Sequence, residues 1–465
     1  MNVPDIDRLL QLSMKTVAIF TFLIGGFKMY KTKIISTVVA TGLLAGVLAG
    51  CAKPSESAQP NSGEKPTEKA PVTLTFWFPG ADKVNDEYFT NVAKEFEKLH
   101  PNIKIETTVL PANSADVDTK LNAAKLSGTF PDVLSAYLIF MGTRGTKGEF
   151  APLDDYIKKW DEKDDMFESA LSIGKVKDKT FGLGFYPAPE ILTYRKDYFK
   201  EAGLDPEKPP ATWEELAQYA EKLTKRDANG NVTRAGFDIP GTSASVFFEP
   251  FMRQNGSKVI DEEKEAPAFS DAKSAEALDF LVGLANKKVN TPFDYQKKDT
   301  FPFISGKSAM SFLQTTMISN LLNNNPELKD NLGFVPVLKR ENKVAFNGYR
   351  LFTIGANSKH KDESWEFIQF MMSKEQMWKR YKDLKIPVLR KSMEQQFMDE
   401  DPKFNGVLLD YVKSGKGKPI IPWTSLYDKY IHLAYEEALS GKKSAAQALK
   451  DAQDNLEKEI KTLTK

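Results

Sequence analysis

From Val72 onward the chain changes its hydrophobic period again and again, and that alternation limits the folds open to it. Thr73–Phe78 is β-rich. Val92, Phe96 and Leu99 then recur at i, i+4 and i+7, a helical stripe that stops at His100-Pro101. Ile103, Ile105, Thr107 and Val109 alternate as a strand ended by Pro111. Asp116–Leu126 returns to the helical period, with Leu121, Ala124 and Lys125 flanking its inner face and Gly128 just past its end. Pro131-Asp132-Val133-Leu134 opens a third strand. Strand–helix–strand–helix–strand predicts right-handed crossovers and an α/β body of mostly parallel sheets flanked by helices. Ligands of such sheets sit beyond the carboxyl ends of the strands, here Trp77 to Asp82 and Ser135 to Tyr137.

Upstream of Val72 the chemistry differs. The sole cysteine, Cys51, follows Leu48-Ala49-Gly50, with an uncharged apolar run at Ile34–Ala49 and a basic pair, Lys31 and Lys33, before it. This is the layout of a secretory signal. Its small-residue ending resembles the lipobox of bacterial lipoproteins, in which the cysteine thiol takes a diacylglycerol and becomes the mature N-terminus. The expectation is a signal peptide over 1–50, lipidation (diacylglycerol, with palmitate) at Cys51, and a body anchored to the outer, extracytoplasmic face of the cell membrane. A chance cysteine after a signal peptide or a membrane helix is the alternative, although the run is shorter than the roughly 20 residues a span needs. A second apolar run, Val17–Phe27, makes Met29 an alternative translation start. The remainder of the leader, 51–71, carries four prolines in Ala52–Pro71 and no aromatic residue. It cannot bury enough surface to offset its ordering entropy, and as a flexible tether it reaches roughly 25 Å.

Composition then excludes several classes. The 465 residues hold 64 basic and 63 acidic side chains, so no charge excess points to nucleic acid. The three histidines, His100, His360 and His432, have no metal-ligand spacing, and neither a metal nor a cofactor is expected. Asp227-Ala228-Asn229-Gly230-Asn231 superficially matches a calcium loop, but its glycine comes too early and no acidic twelfth ligand follows, so a hairpin turn is expected. Residues Cys51–Lys465 suffice for two domains without disulfides.

An ordered set of motifs carries a family resemblance. Phe76-Trp77, Phe96–Ile105, Leu126–Val133, Pro152–Tyr156, Tyr194–Leu204 and Pro209–Leu216 come first. Gly306–Met310, Ser364–Ile368, Glu436–Lys442 and Ala448–Ala452 complete it. Together they span nearly all of 72–465, and the chain resembles the family 1 extracellular solute-binding proteins of ABC importers, with the maltose-binding branch nearest in pattern. The resemblance implies two α/β lobes joined by crossing strands, near Ile191–Thr193 and Asn347–Thr353, that close on a ligand by hinge motion. The N-lobe is expected at 72–190 plus 351–391, and the C-lobe at 192–346 plus 392–465. It also implies a monomer that captures a sugar or oligosaccharide, passes it to the transmembrane subunits of an ABC permease and carries out no reaction.

A sugar site needs flat aromatic faces for ring C–H groups and planar polar groups for hydroxyls. The candidate ligand-binding residues are Trp77, Asp82, Tyr137, Tyr186, Glu190, Phe248, Glu249, Gln314, Asn347, Tyr349, Arg350 and Trp423. Each has a structural alternative: core packing for the rings, a helix cap for Asp82, pairing with Arg195 for Glu190, a solvated carboxylate for Glu249 and an internal ion pair for Arg350. Trp160, Trp213, Trp365 and Trp378 lie on helical patterns and read as packing anchors. Relatives commonly place Gly-x-Trp after the Gly306–Met310 motif, whereas this chain has Leu313-Gln314-Thr315-Thr316. Arg195 replaces the usual asparagine of its motif, and with Arg350 it raises the idea of an acidic, uronate-containing oligosaccharide. Two other readings stay open: the same fold binding a polyamine or peptide, and a secreted glycoside hydrolase with paired carboxylates. Against the hydrolase, no nucleophile motif such as Gly-x-Ser-x-Gly is present.

Overall fold

Strand β1 (Val72–Pro79) turns Leu74, Phe76 and Phe78 into the core, and helix α1 (Lys83–Leu99) follows it. This computed structural model describes residues 70–240, 244–290 and 302–463. The chain divides into two units, Met1–Thr67 and Glu68–Lys465, and every described residue belongs to the second. Cys51, Met29, both apolar runs and most of the expected tether lie outside the described residues.

Local signals are met at each turn of the opening segment. Asp82 Oδ1 accepts the Asn85 backbone N–H at 2.9 Å and caps α1. β2 (Ile103–Leu110) leads to α2 (Ser114–Ser127), capped by Asn113 and closed by Gly128, whose φ of 71° is the left-handed conformation glycine adopts without strain. β3 (Val133–Tyr137) then pairs in parallel with β1, as β2 does on the other side. Three apolar residues of this pattern face water instead: Leu99, Val109 and Leu126, the last 90% exposed. Each lies at or beside the end of its element, where the last turn or step has run past its packing partner.

The later strands are β4 (Leu183–Arg195), β5 (Met310–Gln314), β6 (Leu332–Phe334), β7 (Ala345–Ile354) and β8 (Gly415–Lys416). They join the first three in one sheet of order β5-β4-β7-β3-β1-β2, with β6 on β4 and β8 on β7. The expectation of mostly parallel sheets holds for β1, β2 and β3 and for the short β8 beside β7. β7 lies antiparallel to both β3 and β4, and β5 and β6 lie antiparallel to β4. The cause is topological: the chain leaves on β4 and must return on β7, so the two crossing strands oppose each other. β4 pairs with β7 as far as Pro189 and with β5 from Glu190 onward. Its change of partner therefore falls between Pro189 and Glu190.

Helices cover the sheet around separate cores. In one, Phe76, Phe78, Phe89, Phe185, Phe352 and Phe367 interlock, with Phe185 stacked on Phe352 at 3.7 Å between centroids. Each such ring contributes roughly 1.5–3 kcal/mol on full burial. The second core gathers around Trp213, buried on α3 (Trp213–Leu223), and includes α4 (Ala244–Gln254), α5 (Ala272–Asn286), α6 (Thr424–Leu439) and α7 (Ala445–Leu463). The Trp213 indole N–H donates to Gln254 Oε1 at 2.6 Å, so its polar atom is satisfied in the interior. Trp160 and Trp365 are buried as expected and Trp378 partly so. Asp227 Oδ1 accepts from the backbone N–H groups of Asn229 and Asn231, which makes the expected hairpin turn between Lys225-Arg226 and Val232–Arg234.

Candidate functional site

A strand sends alternate side chains to opposite faces, and β7 divides its candidates accordingly. Phe346, Gly348 and Arg350 share the more open face, while Asn347, Tyr349 and Leu351 share the buried one. The register then assembles a surface across three strands. Arg350 stands opposite Tyr186 on β4 and Tyr137 on β3, and Gly348 stands opposite Ala188. Further along β4, Glu190 stands opposite Gln314 on β5. Tyr137, Tyr186, Arg350, Glu190 and Gln314 are thus brought together on one face, with Asp82 at its rim.

At one end of this face the Arg350 guanidinium lies between two rings, 5.1 Å from the Tyr186 centroid and 5.5 Å from that of Tyr137. One of its N–H groups donates to the Pro79 carbonyl at 3.4 Å, and it has no ion-pair partner among the described residues. The Tyr137 hydroxyl donates to the Ala112 carbonyl. Burial raises the Tyr186 hydroxyl above its ordinary value, with Arg350 opposing the shift and the nearby Asp82 carboxylate adding to it.

At the other end, Glu190 accepts a hydrogen bond from Gln314 Nε2 at 2.9 Å. Burial pushes its carboxyl up to about 7, the Gln314 bond pulling the other way. Both residues border a cavity of about 300 Å³ walled by Phe247, Phe312, Phe346, Met317, Val337 and Leu338. Two other polar side chains at its edge are already engaged: Gln254 with Trp213 and the Val344 carbonyl, and the Tyr411 hydroxyl with the Leu192 N–H. An apolar chamber with few convergent polar groups is the usual form of a small-molecule site.

The other candidates lie elsewhere. Tyr349 is buried, with its hydroxyl 3.3 Å from Ser169 Oγ. Asn347 is fully buried against Gly415. Trp77 pairs beside Leu134, out of phase with Tyr137, and packs half-buried on the small core of Leu110, Leu121 and Leu134. Phe248 is fully buried beside Tyr435, and Trp423 is buried at the start of α6. Glu249 is 2% exposed and takes hydrogen bonds from Arg253 and the Tyr427 hydroxyl, each at 2.8 Å. None of these last three lines the cavity. Arg195 binds Asp197 at 2.6 and 2.8 Å and stacks on Tyr198, so its charge is matched within the protein and it does not pair with Glu190. A Cβ at Gly348 would meet only ordinary contacts from 3.5 Å outward.

Sequence reasoning passed over Phe312 and Phe346. The signal was available: Phe312 lies two residues before Gln314 and Phe346 four before Arg350, so period two puts each ring on its neighbour's face. Among the described residues no cluster of His, Cys, Asp and Glu is suited to a metal ion, and no helix is long and apolar enough to cross a membrane.

Comparison with known proteins gives this geometry its context. Residues 80–378 match the family model described as bacterial extracellular solute-binding protein. The arabinooligosaccharide-binding protein of Bacillus subtilis is 24% identical over 358 residues, covering 74% of this chain and 77% of the relative. The sn-glycerol-3-phosphate-binding periplasmic protein UgpB of Escherichia coli (strain K12) is 26% identical over 269 residues, covering 54% of this chain and 58% of the relative. Among solved structures, the sugar-binding protein MalE from Xanthomonas citri has a similar fold, with a TM-score of 0.74 at 20% identity, covering 84% of this chain and 99% of that one.

Proposed function

We propose that this chain, which belongs to the bacterial extracellular solute-binding proteins and has their two-lobed α/β fold, captures a sugar or oligosaccharide and delivers it to an ABC permease. The observation that carries the reading is the single face on which Tyr137, Tyr186, Arg350, Glu190 and Gln314 meet, next to a chamber walled by phenylalanines. Rings for C–H faces and planar polar groups for hydroxyls are the two things a sugar requires. Relatives named for an arabinooligosaccharide and for sn-glycerol-3-phosphate support a hydroxyl-rich solute.

In this reading one lobe is 72–190 plus 351–391 and the other 192–346 plus 392–465, with the hinge in β4 and β7. Ligand contacts on both sides of the crossing strands favour a closed population, and that population is what the permease recognises. Nothing in the step is covalent, and the protein acts by binding rather than catalysis. It works as an extracytoplasmic monomer, held by a lipid on Cys51 to the outer face of the membrane.

The test is a thermal-shift screen of the full chain against mono- and oligosaccharides, with polyamines and peptides alongside. A ligand at a hundred times its dissociation constant stabilises by about 2.7 kcal/mol, a clear rise in melting temperature. A sugar hit that is recovered chemically unchanged supports the reading. A hit confined to polyamines or peptides overturns the solute class, and cleavage of a bound glycoside overturns the binding-only mechanism.

A further inference from the structure

Most arginines drawn out of water among the described residues are matched with acids. Arg144 pairs with Asp118 and Glu149, Arg195 with Asp197, Arg253 with Glu249, and Arg390 with Glu162 and Asp165. Arg350 departs from the pattern. It is half-buried, held between two tyrosine rings, and among the described residues its guanidinium meets only neutral partners, the distant Pro79 carbonyl and the Tyr137 hydroxyl. A second arginine lies behind the same wall: Arg380 is 1% exposed, hydrogen-bonds the Met371 carbonyl, and has no carboxylate partner among the described residues. The charge of both reaches Tyr186. The carboxylate that acts on that ring is Asp82, which is exposed and has one oxygen committed to the α1 cap. This end of the face therefore has a surplus of positive charge and a planar fork free to clamp a carboxylate.

The opposite end has the reverse character. Glu190 is held by Gln314 alone, faces phenylalanine and aliphatic walls, and has no cation beside it among the described residues. When ionised, it accepts hydroxyl hydrogens and repels a second acid. Four strand residues separate Tyr186 from Glu190, about 13 Å, or roughly two to three pyranose rings end to end. Between them the floor is Ala188 and Gly348, too small to obstruct a ring.

We infer that the solute is a short oligosaccharide carrying one carboxylate, bound in one direction, with its acid at Arg350 and a neutral ring in the chamber beside Glu190. This rests on the sugar-binding reading above and sharpens it to a charge and an orientation.

The test is isothermal titration of the full chain with matched sets of neutral, monoacid and diacid disaccharides and trisaccharides. One set is galactobiose, galacturonosyl-galactose and digalacturonate, and the others are glucose-, xylose- and mannose-based. The monoacid should bind at least tenfold tighter than its neutral counterpart, and more weakly as salt is added. The diacid should bind less tightly than the monoacid, and Glu190→Gln should narrow that gap. Arg350→Gln should cost the monoacid at least ten times more affinity than it costs the neutral sugar, with Arg350→Lys intermediate. A neutral sugar bound as tightly as its monoacid overturns the inference and leaves the sugar-binding reading intact. So does an Arg350→Gln variant that melts lower without ligand yet keeps the preference for acid. Failure of every set to bind overturns both.

Discussion

Glu249 and Glu190 are carboxylates drawn out of water on neighbouring parts of the same protein, and they differ in what surrounds them. Glu249, on α4, has Arg253 one turn away on its own helix and the Tyr427 hydroxyl from α6, so both oxygens are used and the group is closed. Glu190 has one amide donor and an apolar chamber. The same division separates Arg195, locked on Asp197, from Arg350, which has tyrosine rings in place of an acid. A buried charge with its partners in place holds architecture together, and one left short of partners is disposed toward something that arrives from outside.

Breaking the closed cluster should give the largest effect. Glu249→Gln leaves the Arg253 charge unmatched and should cost about 3 kcal/mol of stability in a denaturant titration. Ligand affinity measured on the folded fraction should scarcely move, and a specific loss of affinity would erase the contrast. Next is Asp82→Ala, which removes the α1 cap and should cost about 1 kcal/mol. If stability holds and affinity falls instead, Asp82 belongs with the site rather than the scaffold.

A pH-dependent effect is expected from Glu190→Gln. Folding raises the Glu190 pKa from 4.5 to about 7, so the native state holds this proton more tightly than the unfolded chain. That contribution is fully present below the unfolded value and is lost as pH rises through about 7. Between those limits the wild-type melting temperature should fall relative to that of the variant, and parallel curves would show that Glu190 is hydrated like a surface acid. Smallest in stability is Gly348→Ala, within about 0.5 kcal/mol because the new methyl meets only ordinary contacts. Its methyl points to the ligand side, so affinity should drop while the melting temperature does not.

The fold was legible because period and punctuation agree: Pro111, Gly128 and the caps at Asp82 and Asn113 fall where the hydrophobic pattern changes. The antiparallel return strand was not, since a pattern of strands does not state their direction. Within the candidate site, Tyr186, Glu190 and Arg350 were legible from their place at the crossings, and Gln314 from its place after the Gly306–Met310 motif. Asn347 and Tyr349 were drawn in with Arg350 as neighbours in sequence, although a strand turns neighbours to opposite faces. Trp423, Phe248 and Glu249 went astray for another reason. Whether such a residue faces a cleft depends on how helices pack: α6 covers Phe248 and Glu249 with Tyr435 and Tyr427, and Trp423 is buried at the start of that same helix. The Tyr427–Glu249 contact is between residues 178 positions apart, which no local pattern records.

β4 carries Tyr186 and Glu190 on the stretch where it exchanges one neighbour strand for another at Pro189-Glu190. The residues that would choose the solute are thus written into the same few positions that would bend. Anyone converting this protein into a sensor for a different compound would find selectivity and mechanical compliance inherited together. A substitution at 186 or 190 made to admit a new guest should also reset how far the empty protein already leans toward its shut form.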